Sequence, residues 1–212
     1  MNNPWKDINL SDYENHMSLD SVKQLQSMNK TMKSQLDDYA VNTVMILGIA
    51  GGNGLEYIDI EKYKTVYGVD INKSYLDAVA DRYKNLDGIL KCLNIDIINE
   101  ADELPETELL IANLLIEYVG YEAFSKAVIK TNPRYVSCVI QINETDKQWV
   151  SDSPYIHAFD GLDSVHCQME ESKLTDTMEK IGYKKIKKAE DALPNGKHLV
   201  RIDYSVASTF VP

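Results

Sequence analysis

The chain has 212 residues, 44% apolar and 26% charged, which is enough for one domain with a buried core and too apolar for a disordered polymer. A formal net charge of −11 opposes the electrostatic footprint that polyanion binding needs, so nucleic acid is not expected as a partner. No apolar run is long enough to span a bilayer, and Met1-Asn2-Asn3-Pro4-Trp5-Lys6-Asp7 lacks the basic start and apolar core of a signal peptide, so the cytoplasm is the expected compartment and no membrane partner is expected.

Residues 1–42 precede the first core strand and carry two helical signals. Ser11-Asp12-Tyr13-Glu14 has the S-x-x-E form of a capping box and predicts a short helix running towards Met17. After Asp20, the residues Val22, Leu25, Met28, Met32, Leu36 and Tyr39 recur at intervals of three and four, one face of a helix that ends near Tyr39 and packs on the core. The short helix gathers Tyr13, Glu14, His16 and Met17 just before the core begins. Residues 11–19 are therefore expected to act as a lid, within a helical cap (1–42) on a core (43–212) in a single domain.

Val44-Met45-Ile46-Leu47 is an uninterrupted apolar run followed at once by Gly48, Gly51, Gly52 and Gly54, which reads as a buried parallel strand (43–49) breaking into a tight turn. Glycine there lets the backbone approach a ligand closely, and a helix over Leu55–Tyr63 would offer its unpaired N–H groups. Strands and helices then alternate, the order of a parallel sheet covered on both faces. The predicted elements are strand Thr65–Asp70, helix 73–85, strand 89–94, strand Glu108–Ala112, helix 119–130 stopped by Asn132-Pro133, and strand Tyr135–Ile142. Residues 143–164 show no period and contain Pro154 and Gly161, the kind of long irregular stretch that is more often functional than accidental. A helix over 166–181 stops at Gly182, and Tyr183–Lys188 and Lys197–Val206 flank the turn Pro194-Asn195-Gly196 as a terminal antiparallel hairpin.

The glycine turn does not complete the dinucleotide pattern G-x-G-x-x-G, because Tyr57 stands where the third glycine belongs, and no Lys-Ser or Lys-Thr follows Gly54 to make a Walker loop. Ala50-Gly51-Gly52-Asn53-Gly54 instead resembles motif I, G-x-G-x-G, of the class I S-adenosylmethionine-dependent methyltransferases. Gly48 occupies the place of that family's acidic residue at the end of the first strand, and Ala50 that of its first glycine. The resemblance implies a Rossmann-like α/β fold, a seven-stranded and mostly parallel sheet with an antiparallel C-terminal hairpin, and S-adenosylmethionine as cofactor. It implies that Gly48, Ala50, Gly51, Gly52 and Gly54 line the cofactor, that Asp70 binds the ribose, that Asp96 binds the adenine amino group between Ile71 and Ile97, and that Asn113 and Leu114 lie beside the methionine part. Independently of the family, Asp70 lies 18 residues beyond Gly52, near the spacing at which an acid meets ribose hydroxyls, a role it would equally serve with NAD.

The reaction expected is methyl transfer to a small-molecule acceptor. Candidate bases are Glu117 and Tyr118 after the fourth strand, and Tyr13 and His16 if the N-terminal helix closes over the site. The alternatives are an NAD-dependent oxidoreductase, a non-catalytic S-adenosylmethionine-binding protein and a protein methyltransferase, the last with 143–164 as a docking loop. Asn113-Leu114-Leu115-Ile116 lacks the N-P-P-[YF] of enzymes that methylate adenine or glutamine amino groups, in keeping with the acidic charge. Cys92, Cys138 and Cys167 read as thiols and not as disulfides or zinc ligands. The cluster His157, Asp160, Asp163, His166 and Cys167 has no metal-ligand spacing, so no metal is expected. Lys184-Lys185-Ile186-Lys187-Lys188 reads as a charged, protected sheet edge.

Overall fold

The computed structural model describes residues 3–143 and 149–207. Seven strands, β1 Thr43–Leu47, β2 Thr65–Asp70, β3 Leu90–Asn94, β4 Leu109–Asn113, β5 Tyr135–Ile142, β6 Tyr183–Ala192 and β7 His198–Val206, form one sheet in the order β3-β2-β1-β4-β5-β7-β6. The five strands from β3 to β5 are parallel, and β7 inserts antiparallel between β5 and β6. This is the arrangement expected for the core. Successive side chains of a strand point to opposite faces, and β1 divides its residues accordingly: Met45 and Leu47 enter one apolar cluster, Val44 and Ile46 the other.

Helices α1 Leu10–Ser18, α2 Gln24–Asp37, α3 Lys73–Arg82, α4 Ile97–Glu100, α5 Ile116–Thr131 and α6 Glu171–Lys180 complete the frame. Phe124, Ala127 and Val128 of α5 and Leu174 and Met178 of α6 fill one face; Met32 and Leu36 of α2 and Leu76 and Val79 of α3 fill the other. Among the described residues no helix is long and apolar enough to cross a membrane. Cys92, Cys138 and Cys167 are free thiols.

Four expectations change. The segment after the glycine turn is not a helix over Leu55–Tyr63 but a short 3-10 turn, Leu55–Tyr57. Met32 of α2 occupies the space beside it, since a Cβ added at Gly54 would collide with the Met32 side chain, and Leu55, Ile58 and Tyr63 pack in the same cluster as Met32 and Leu36. Helix α2 thus covers the face that a crossover helix would have covered, and the helix N-terminus expected to face a ligand is absent. Second, the cap of α1 is Asn9, whose side chain accepts from Ser11 N–H at 2.9 Å; Glu14, the expected capping-box partner, pairs with Arg82 of α3. Third, α5 begins at Ile116 and breaks at Gly120 (φ 76°, ψ 165°), a conformation open to glycine, so Glu117 and Tyr118 sit on a first turn set off from the main helix. Fourth, the irregular stretch contains a 3-10 helix, Ile156–Ser164, and α6 starts only at Glu171; part of the stretch, residues 144–148, lies outside the described residues.

The stripe on α2 packs as expected, yet the helix also buries polar side chains. Gln35, fully buried, donates to Asn113 Oδ1 and Ser137 Oγ, both at 2.9 Å, and Asn113 returns a bond to Gln35 Oε1 at 2.9 Å. Tyr39 donates to Asp203 at 2.6 Å, and Arg201 bridges Asp203 and Asp38. Each buried charge in this network has its counter-charge and its donors, the condition under which such groups are tolerated inside a protein.

Candidate active site

Three small cavities open beyond the carboxyl ends of the parallel strands, where ligands of open α/β sheets bind. The first, about 70 Å³, is lined by Gly48, Ala50, Asp70, Ile71, Asp96, Ile97, Asn113 and Leu114 together with Trp5, Tyr13, Tyr75 and Tyr118. The second, also about 70 Å³, takes in His16, Glu117 and Tyr118 with Trp149, Phe159 and His166. The third, about 60 Å³, lies against Gly48, Ala50, Gly51 and Asn113, with Met28 and Met32 of α2 opposite. Tyr13 and Leu114 line all three, so the cavities meet around these two side chains. Leu114 holds φ 54°, a left-handed conformation that costs a non-glycine residue energy and occurs preferentially at functional sites.

Asp70 ends β2 and is 8% exposed; its carboxylate accepts the N–H groups of Ala50 and Asn72, both at 2.9 Å. Burial raises its pKa to about 6, those backbone donors opposing the rise. Asn72, and not Asp70, caps α3 by accepting from Ser74 N–H at 3.0 Å, which leaves Asp70 to the cavity. Asp96 both caps α4, accepting from Ile98 N–H at 3.0 Å, and lines the cavity. Ile71 and Ile97 line that same cavity.

Glu117 is 4% exposed; Oε1 accepts from Gln141 N–H at 2.8 Å, whereas Oε2 is buried without a partner. Burial pushes its pKa up to about 7. His16 Nδ1 lies 2.7 Å from Ser153 Oγ, and burial, with Lys197 as a smaller influence, holds the ring below its ordinary pKa and so neutral. Burial drives the phenols of Tyr13 and Tyr118 well above theirs, which keeps both protonated as hydrogen-bond donors. Of the four candidate bases, the Glu117 carboxylate and the neutral His16 imidazole can accept a proton near neutrality, whereas the two phenols stay protonated.

Gly52 and Gly54 are not in the cavity walls. A Cβ on Gly52 would meet Tyr83 Cε2 at 2.7 Å and one on Gly54 would meet Met32, so both positions serve close packing. At Gly51 an added Cβ would fall on the Glu14 and Arg82 side chains, which close over the turn. Sequence reasoning missed Trp5, Tyr75 and Trp149 in the walls; the aromatic residues around Tyr13 and the fact that the chain has two tryptophans were the available signals. The His157–Cys167 cluster is dispersed: His157 pairs with Asp160 at 3.2 Å, Asp163 accepts from Trp149 Nε1 at 2.9 Å, and His166 stacks on the Trp149 ring at 4.0 Å.

No protein-family model matches the sequence, and no curated protein matches it significantly. Solved structures do. Magnesium protoporphyrin IX methyltransferase (ChlM) of Synechocystis PCC 6803 with bound SAH is 8% identical, with 96% of each chain covered and a TM-score of 0.67. The N-methyltransferase NodS of Bradyrhizobium japonicum WM9 in complex with S-adenosyl-L-homocysteine is 11% identical over 97% of this chain and 99% of its own, at a TM-score of 0.64. The [4+2]-cyclase SpnF is 7% identical over 88% of this chain and 83% of its own, at a TM-score of 0.65. With the strand order and the antiparallel β7, these likenesses give the chain the fold of the class I S-adenosylmethionine-dependent methyltransferases.

Proposed function

We propose that the chain binds S-adenosylmethionine and transfers its methyl group to a small-molecule acceptor. The observation that carries this reading is a pair of unsatisfied groups. Among the described residues, the two buried side-chain polar atoms without a partner are Tyr75 Oη and Glu117 Oε2, and these residues line the first and second cavities, which adjoin. A buried polar atom left unpaired costs free energy unless a ligand or water completes it.

The first cavity offers the groups that the adenosine part of the cofactor would use: Ile71 and Ile97 for the flat base, Asp96 as acceptor for its amino group, and Asp70 as acceptor for the ribose hydroxyls. The third cavity, between the glycine turn and α2, would take the methionine part. The junction at Tyr13 and Leu114 is where the reacting methyl would meet the acceptor. When bound, the cofactor supplies an electrophilic methyl group and a thioether leaving group. The chain's own work is to orient the acceptor, exclude water and take up a proton at Glu117 Oε2.

A cyclase shares this fold, and fold alone does not choose the reaction. The name of ChlM, magnesium protoporphyrin IX methyltransferase, gives a small-molecule acceptor for that protein, which supports the choice of acceptor class. Against an NAD-dependent reading stands β7, since a dinucleotide-binding sheet is parallel to its edge. Calorimetry with S-adenosylmethionine, S-adenosylhomocysteine and NAD tests the proposal. Saturable binding of the first two and none of NAD is expected; binding of NAD without either would overturn it.

A further inference from the structure

We propose that the second cavity is an amine site: the acceptor is a small primary or secondary amine that enters as its ammonium ion, is held by the aromatic walls and Glu117, and is methylated at nitrogen. This rests on the methyl-transfer reading above.

Trp5, Tyr13, Tyr118, Trp149 and Phe159 give the walls five aromatic side chains, several of them meeting at steep angles and one, Trp149, stacked on His166. Trp5 and Tyr118 meet edge to face at 4.8 Å and 81°, Tyr118 and Trp149 at 6.1 Å and 66°, and Phe159 lies 4.8 Å from the His16 ring. Ring faces attract a cation, most strongly one stripped of water. Among the lining residues Glu117 is the acid, and there is no lysine or arginine. His16 and His166 are both held neutral, mainly by burial. Lys197, whose charge reaches both histidines, donates to the Trp149 carbonyl oxygen and is not in the lining.

An acidic acceptor would therefore enter beside a carboxylate with no cation to offset it, at the cost of burying like charges. A neutral alcohol would give Glu117 Oε2 a donor but would leave the ring faces without a charge to attract. An ammonium satisfies both features. The groups facing Glu117 from neighbouring elements are the neutral His16 of α1, the protonated Tyr118 beside it, and Cys138 of β5, whose thiol burial holds protonated. None of these supplies a counter-charge.

The step balances as follows. The ammonium passes one N–H proton to Glu117 Oε2, which frees the nitrogen lone pair. That pair forms the N–C bond to the sulfonium methyl while the C–S bond breaks and its electrons remain on sulfur. The products are the methylated ammonium and the thioether, and Glu117 later returns the proton to solvent.

The two tryptophans of the chain, Trp5 and Trp149, both line this cavity, so intrinsic fluorescence reports on its occupancy. The full-length chain, saturated with S-adenosylhomocysteine so that the cofactor cavity is filled, is titrated with three probes of similar shape: phenethylamine, 2-phenylethanol and 3-phenylpropionate. Methylamine and benzylamine extend the size range. At least one amine is expected to give a saturable change with a Kd tenfold or more below those of the alcohol and the acid. Glu117→Gln should abolish that preference while binding S-adenosylhomocysteine as the unchanged chain does, which also certifies that the variant is folded. Equal or tighter binding of the alcohol or acid, retention of amine preference in Glu117→Gln, or no response to any amine in a chain that binds S-adenosylhomocysteine would each overturn the inference. Failure to bind S-adenosylhomocysteine would instead overturn the cofactor reading.

Discussion

Asp70, Asp96 and Asn113 reach the first cavity from the carboxyl ends of β2, β3 and β4, whereas the second cavity is put together by groups far apart in the chain, with His16 meeting Ser153 and Gln24 meeting Gln141. One wall follows from the order of parallel strands; the other depends on α1 being seated against the 3-10 helix Ile156–Ser164, where Ile8 shares a cluster with Phe159 and Leu162. The contrast teaches that the proposed cofactor half of the site is a property of the sheet ends, while the proposed acceptor half is a property of what is laid over them. Damage to the cap should therefore separate the two.

The sharpest way to break that comparison is to delete residues 1–18. We expect a folded domain by circular dichroism, because the cluster built on Met32, Leu36 and the sheet is untouched. Methyl transfer should fall by roughly a thousandfold or more, since the acceptor loses both its orienting walls and its shield from water. Binding of S-adenosylhomocysteine should weaken but persist, Trp5 and Tyr13 being walls of its cavity also. A truncated chain with undiminished turnover would mean that the cap does not build the acceptor site.

Glu117→Gln comes next in size. Removing a positioned base costs about 10²- to 10⁴-fold in rate, and S-adenosylhomocysteine affinity should hold within about twofold because Glu117 does not line its cavity. In the unaltered chain the rate of methyl transfer should climb with pH through about 7, as Glu117 loses its proton. The same residue makes a stability prediction. Its folded pKa of about 7 exceeds the ordinary 4.5, so the folded chain retains a proton that the unfolded chain has released. The resulting penalty is absent below about pH 4, grows between 4.5 and 7 and is constant above, reaching on the order of 3 kcal/mol. Glu117→Gln should accordingly raise the Tm at pH 8 and leave it nearly unchanged at pH 4; equal Tm shifts at both would contradict a buried carboxylate.

Legibility in the sequence follows the same division. Strands β2 and β5 fall on their predicted ends, because apolar runs closed by Asp70 or opened after Pro133 leave little freedom in register. The walls at Asp70, Ile71, Asp96, Ile97 and Asn113 were equally readable, since a strand end fixes where its next residue points. Trp149 and His166 were not, because no local period relates them to Trp5 or Tyr118; their meeting is a tertiary event. Gly52 differs from these. Glycine spacing signals that something approaches the backbone closely, and the neighbour the structure shows there is the Tyr83 ring. Gly52→Val should consequently lower stability, by about 1–3 kcal/mol for an overpacked site, and weaken the ligand only through the fold.

Asp70→Ala sharpens the cofactor half. Losing charged acceptors for ribose hydroxyls, at about 1.5–3 kcal/mol, should weaken S-adenosylhomocysteine about ten- to a hundredfold by calorimetry. The second cavity should be unaffected, with the amine still changing tryptophan fluorescence. Unchanged S-adenosylhomocysteine affinity in a folded variant would remove Asp70 from the ribose role.

The smallest effect should come from the tie between the two halves. Glu14 of α1 pairs with Arg82 of α3, Nη2 donating to Oε2 at 2.8 Å, and Arg82 Nη1 also donates to the Gly51 carbonyl at 3.1 Å, so one guanidinium links α1, the glycine turn and α3. The pair is partly solvated, with side-chain exposures of 44% and 26%, and such pairs contribute only about 0.2–1 kcal/mol. Its value lies in position and not in strength: it fastens α1 beside Tyr13, at the junction of the cavities, while Asn72 independently holds the preceding segment through the Trp5 carbonyl at 2.9 Å. Arg82→Ala should therefore leave the Tm within a few degrees, raise the Kd for S-adenosylhomocysteine by about two- to fivefold, and speed proteolysis near Tyr13 in the free chain more than in the ligand-saturated one. Salt should mimic the variant in the unaltered chain, because a solvated pair is screened. If cleavage near Tyr13 is equally fast in both chains and with or without ligand, α1 is not fastened by this pair and does not close over the cofactor.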